Sequence, residues 1–154
     1  MPEVPPHSEL DGLNLNITVP LANGAINPNA KLPVYVFIHG GGFAVGSSWY
    51  PHYNPEPLVK LSVENGKPII GVTVKSVLHV FQVENIALTK CSYRLGALGF
   101  MTSEELRNAG YKANTGFHDQ RAGLKWIKKF ISGFGGDPEE ITVCGESAGG
   151  RKCL

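Results

Sequence analysis

Two kinds of apolar pattern alternate along the chain. Leu13 to Val19 places apolar residues at every second position, which predicts a strand with one buried face, and Pro20 ends its hydrogen-bond ladder. Leu32 to Ile38 and Pro68 to Val74 are apolar over most of their length, as strands of a parallel sheet are when both faces are covered. A fourth strand is predicted over Ile141 to Cys144. Between the strands the period becomes helical. Leu58 to Glu64 sets Leu58, Val59 and Leu61 on one side before Asn65-Gly66 stops it. From Asp119 to Phe130, Ala122, Trp126, Ile127 and Phe130 recur at helical spacing, with Lys125 and Lys128 on the solvated side. A shorter helix is opened by Thr102-Ser103-Glu104-Glu105 and closed by Asn108-Ala109-Gly110. Strands alternating with helices predict an α/β chain whose mostly parallel sheet is flanked by helices.

Two glycine-rich turns follow two of these strands. After Leu32 to Ile38 comes His39-Gly40-Gly41-Gly42-Phe43, where three glycines let the backbone turn its amides toward an incoming oxygen without side chains in the way. After Ile141 to Cys144 comes Gly145-Glu146-Ser147-Ala148-Gly149, a Gly-x-Ser-x-Gly turn of the kind that lifts a serine hydroxyl off the end of a strand. In such a nucleophile elbow the serine backbone is strained and its neighbours must be small, and the Ala148 amide opens the following helix. With 19 glycines in the chain the motif alone is weak, so its context decides. His39 precedes the first glycine turn and does not follow the serine, which marks it as structural.

The context is Phe134-Gly135-Gly136-Asp137-Pro138-Glu139-Glu140-Ile141-Thr142-Val143-Cys144-Gly145-Glu146-Ser147-Ala148-Gly149. Position for position it resembles the active-serine signature of the type-B carboxylesterase, cholinesterase and lipase family. Tyr93 to Phe100 and Asn114 to Gln120 resemble further segments of that family, and the likeness extends over nearly the whole chain. The resemblance implies an α/β-hydrolase fold and hydrolysis of a small-molecule ester by a Ser, acid, His triad, with no cofactor. It assigns Ser147 as nucleophile and the amides of Gly41, Gly42 and Ala148 as the oxyanion hole. His118 and Asp119 become scaffold, Asp119 holding backbone amides or an arginine such as Arg94 or Arg121.

In this fold the acid and the His follow the serine along the chain, yet none of the seven residues after Ser147 is acidic or His. The expectation is the N-terminal part of a single type-B domain, cut after the elbow and inactive in this form. A non-catalytic interaction protein of the same fold and a non-functional truncated product are the alternatives. One stretch, Lys75 to Ser92, has no counterpart in the family pattern and adds Val77, Leu78, Val80, Phe81 and Val83 where a central strand should end in a tight turn. It is either a lid-forming insertion or a retained intron. Back-translation permits splice sites at both of its ends, and excision would restore Val-Thr-Val-Asn-Tyr-Arg-Leu-Gly, which favours the intron. Arg151 to Cys153 can likewise be encoded as read-through into a splice donor.

Composition narrows the partners. With 42% hydrophobic and 18% charged residues the chain suits a soluble globular domain, and a net charge of +1 without a basic cluster argues against nucleic acid and anionic membrane surfaces. The longest apolar runs are strand-sized, so no membrane span is expected. Met1 to Asp11 holds prolines and acids in place of a signal peptide, which predicts a cytoplasmic product. Secreted type-B relatives often carry a cysteine where this chain has Gly12. Cys91, Cys144 and Cys153 match no metal spacing or redox motif.

Overall fold

The computed structural model describes residues 14–48, 50–75 and 93–152. All four predicted strands are present, as β1 (Asn14–Thr18), β2 (Leu32–Ile38), β3 (Ile70–Lys75) and β4 (Gly136–Gly145). They form one sheet in the order β1-β3-β2-β4, in which β2 runs parallel to both its neighbours and β1 is antiparallel to β3. The helices are α1 (Glu56–Glu64), α2 (Gly96–Phe100), α3 (Glu104–Asn108) and α4 (Thr115–Phe130).

The register sorts the side chains onto two unlike faces. Val34, Val36 and Ile38 of β2 stand beside Ile70, Val72 and Val74 of β3, and Leu15 and Ile17 of β1 complete the row, all of them buried. Ile127 of α4 and Ile131 just beyond it close this core. Burying an aliphatic side chain of this size contributes roughly 1.5–3 kcal/mol, and a one-residue slip would exchange it for Tyr35 or Thr73, so the core fixes the register. The other face carries Tyr35, Phe37, Gly71 and Thr73, and α1 seats against it where there is no side chain. A Cβ on Gly71 would lie 2.7 Å from Pro55 Cβ and 3.0 Å from Val59 Cγ2.

Several boundaries differ from the sequence expectation for physical reasons. β4 begins at Gly136 and not at Ile141, because Gly136 to Glu140 continues the strand across a register irregularity between Leu32 and Val34. α4 begins at Thr115, after Asn114 at φ 56°, and buries Gly116, Asp119, Gln120, Gly123 and Ile127, whereas Ala122 and Phe130 stay exposed. α1 is anchored through Val59 alone, with Leu58 and Leu61 exposed, since its first turn and not its length lies over Gly71. Ser103 caps α3 as expected, its Oγ accepting from Leu106 N at 3.2 Å. The insertion or intron assigned to 75–92 lies, beyond Lys75, outside the described residues, as do 153–154. No helix among the described residues is long and apolar enough to cross a membrane.

Candidate active site

Because β2 and β4 are parallel neighbours, the turns that leave them emerge side by side. The ladder ends at Ile38 opposite Gly145 and is extended by one bond, Glu146 N donating to Ile38 O at 3.2 Å. Ser147 then takes φ 47°, the left-handed region, at a cost of about 1–2 kcal/mol for a residue with a side chain. Contact explains the flanking glycines. A Cβ on Gly145 would lie 2.5 Å from the Gly149 carbonyl, and one on Gly149 would lie 2.2 Å from Ile38 O. Gly149 N donates back to Glu146 O at 2.8 Å, closing the turn. The expected α-helix is a 3-10 turn here, Ser147–Lys152, with Ser147 exposed and Ala148 buried.

The loop after β2 lies against this turn. A Cβ on Gly40 would be 2.9 Å from Glu146 O and 3.3 Å from Ser147 Cβ, so Gly40 is the point where the two turns touch. Gly41, Gly42 and Phe43 follow at φ 115°, 61° and 63°. This strained run is anchored by the Phe43 ring, 4.8 Å from that of Phe100 and 5.4 Å from that of Phe117, and by Gly96 N donating to Phe43 O. Gly41 and Gly42 are exposed. No backbone carbonyl among the described residues accepts from the N–H of Gly41, Gly42 or Ala148. Nor does any described side chain hydrogen-bond the Ser147 hydroxyl.

His39 is structural in its setting. It is fully buried, its ring stacks on Tyr93 at 4.9 Å, its Nδ1 lies 2.8 Å from Gly40 O, and Tyr93 donates to its carbonyl at 2.9 Å. Burial lowers its pKa, outweighing the Gly40 hydrogen bond and the Glu146 charge that act the other way. The folded chain therefore disfavours a proton that the unfolded chain accepts near pH 6.5. His39's contribution to stability is complete above about pH 6.5 and is lost as pH falls below it, by up to about 1.4 kcal/mol per pH unit. Urea midpoints measured from pH 8 to 5 should show this slope, and His39→Gln should flatten it.

Three contacts escaped the sequence reading or were only partly foreseen. Gly40 was grouped with the other loop glycines, although its role is to let the loop reach the elbow. Tyr53 donates to Glu146 Oε2, which pushes its phenol up to about 12 and ties the turn-rich 50s segment to the residue before Ser147. Nothing local signals a partner so far along the chain. Asp119 does take Arg94 as its arginine. Its carboxylate, 5% exposed, accepts from Arg94 N at 3.0 Å, Nε at 2.8 Å and the terminal guanidinium nitrogen at 2.8 Å. The Arg94 side chain is half exposed, which weakens the ion pair more than the half-buried backbone bond. Asp119→Ala should cost about 2–3 kcal/mol in chemical denaturation, and Asp119→Asn should recover part of it.

The arrangement has known counterparts. The sequence profile described as the Carboxylesterase family matches residues 3–153. Lipase 4 of Diutina rugosa is 40% identical over 145 residues, covering 94% of this chain and 22% of its own length. The inactive carboxylesterase-like protein VdtD of Byssochlamys spectabilis is 39% identical over 120 residues, 78% of this chain and 18% of its own. The crystal structure of Aspergillus niger EstA superimposes with a TM-score of 0.68 at 36% identity, over 90% of this chain and 22% of that one. The chain thus spans about a fifth of the length of these relatives. Its four strands are those of an α/β-hydrolase sheet, and it belongs to the carboxylesterase family of serine hydrolases.

Proposed function

We propose that this chain carries the nucleophile and the oxyanion-binding amides of a carboxylic-ester hydrolase. Ser147 Oγ attacks the ester carbonyl carbon, the carbonyl electrons move onto oxygen, and the amides of Gly41, Gly42 and Ala148 stabilise that oxyanion. Collapse expels the alcohol, which takes up the proton that the base removed from Ser147, and water then cleaves the acyl-enzyme to the carboxylic acid and free Ser147. Each donor of this kind is typically worth on the order of a hundredfold or more in rate. The base and its acid partner are supplied by sequence that this chain does not contain.

One observation carries the reading. Ser147 holds a strained, left-handed backbone at the tip of β4, between glycines whose positions leave no room for a Cβ, and against a second loop of glycines. Such strain clusters at functional sites. The likeness to a relative named inactive supports a non-catalytic alternative, in which Ser147 would be incidental. The test is hydrolysis of p-nitrophenyl butyrate by this sequence extended to the length of its relatives. Ser147→Ala should abolish turnover without changing the folded state, and retained turnover in that variant would remove Ser147 from the mechanism.

A further inference from the structure

We propose that His39 is a positioning residue for the oxyanion-binding loop: its ring holds the Gly40 carbonyl and thereby aims the Gly41 N–H, which belongs to the same peptide. The inference rests on the ester-hydrolase reading and adds to it a residue that takes no part in bond making. His39 Nδ1 lies 2.8 Å from Gly40 O. A carbonyl only accepts, so Nδ1 carries the ring proton and donates it. The peptide joining Gly40 to Gly41 is trans, and in a trans peptide the C=O and the N–H point in opposite directions. Tying Gly40 O onto the buried ring therefore turns the Gly41 N–H outward, at an exposed residue.

The next peptide supplies the contrast. Gly41 O accepts from Ala44 N at 3.1 Å and from Val45 N at 3.0 Å, so a turn of backbone aims the Gly42 N–H. No backbone amide among the described residues donates to Gly40 O, which makes the Gly41 donor dependent on a side chain. That side chain is itself held in place. Its ring is fully buried and stacks on Tyr93, and Tyr93 Oη donates to the His39 carbonyl at 2.9 Å. Gly46 closes over the contact, since a Cβ there would lie 2.3 Å from Gly40 O and 2.8 Å from Nδ1. The other ring nitrogen, Nε2, is buried with no hydrogen-bond partner among the described residues. An unpaired interior acceptor is costly, and a phenyl ring would pack here without it. The donor at Nδ1 is what the imidazole adds.

Two measurements test this. In the 154-residue chain, NMR of the ring nitrogens should show His39 protonated at Nδ1 and bare at Nε2, and the opposite tautomer would overturn the proposal. In the sequence extended to the length of its relatives, hydrolysis of p-nitrophenyl butyrate should separate His39→Phe from His39→Asn. Phe keeps a stacked ring and loses the donor, whereas Asn loses the ring and puts its amide nitrogen where Nδ1 was. His39→Phe should lower kcat about ten- to hundredfold, up to the worth of one oxyanion donor, and leave KM within about twofold. His39→Asn should recover most of that loss in spite of its smaller volume. Wild-type kcat in His39→Phe, or an Asn variant slower than the Phe variant, would overturn the proposal, because a packing role alone favours the ring. Where His39→Phe does not fold, His39→Gln takes its place, its amide falling nearer Nε2 than Nδ1, with the same slow rate expected and the same outcomes decisive. Ser147→Ala in the same series keeps the two readings apart. With that variant inactive, a full-rate His39→Phe enzyme refutes the role of His39 alone, whereas turnover surviving in Ser147→Ala refutes the hydrolase reading and this inference with it.

Discussion

Gly149→Ala is expected to destabilise the chain by about 3–5 kcal/mol, a large share of the 5–15 kcal/mol that keeps a domain folded. The added methyl would sit 2.2 Å from Ile38 O and 2.6 Å from His39 O, far inside contact distance. Those atoms are backbone, at the end of a strand bonded on both sides, so they cannot swing away as a side-chain tip would. Either the elbow lifts, losing the bond from Glu146 N to Ile38 O, or β2 shifts and strains its pairing with β3 and β4. Gly42→Ala supplies the contrast. Gly42 has φ 61° but open space where a Cβ would go, so it should lose only about 1–2 kcal/mol, from backbone conformation alone. Urea denaturation followed by circular dichroism separates the two, and similar losses would show that packing at the elbow is not the constraint.

The second large effect concerns rate. Assayed alone, the 154-residue chain should hydrolyse p-nitrophenyl butyrate about a millionfold more slowly than a chain extended to the length of its relatives. An alcohol such as that of Ser147 is almost wholly protonated at neutral pH and needs a base to take its proton as the new bond forms. No described side chain hydrogen-bonds it. His39 is sealed in the interior beside Tyr93, and His118 lies exposed on α4. An oxyanion hole acting without its triad leaves only about a thousand- to ten-thousandfold over water. Brisk, Ser147-dependent turnover by the short chain would mean that a base is already present within it.

Much of this architecture could be read from residues because local chemistry and tertiary packing agree there. Leu32 to Ile38 is a strand in both readings, since an apolar run of that length between Pro and Gly signals has few other uses. The elbow was legible because small residues at fixed spacing report a steric requirement that the folded chain confirms at Gly145 and Gly149. Legibility failed where distant backbone overrides local preference. Gly136 to Pro138 carries every mark of a turn, yet β2 draws Gly136 into the sheet opposite Leu32. The face of α4 was legible only in part: Trp126 and Ile127 pack on the core as their spacing predicts, but Gly116 and Gly123 are buried too and have no side chain to mark them. A Cβ on Gly116 would lie 2.5 Å from Arg94 O, a requirement visible only once Tyr93 to Phe100 is in place. The bond from Tyr53 to Glu146 belongs to the same class of long-range fact.

The pairing of β2 with β4 also bears on how the chain reaches this state. β2 and its parallel neighbour β4 are separated by the greater part of the sequence, whereas α1 joins β2 to β3 by a short crossover. Loop closure of that span must precede any gain from the contacts it makes, so β2 and β3 can pair early and β4 must dock late. The strained turn at Ser147 hangs on that last docking step. On refolding from urea, protection of the Val36 and Val72 amides should therefore appear before the elbow acquires its left-handed backbone. Ser147 would then be among the last residues to be shaped, after the scaffold that tolerates its strain has already formed.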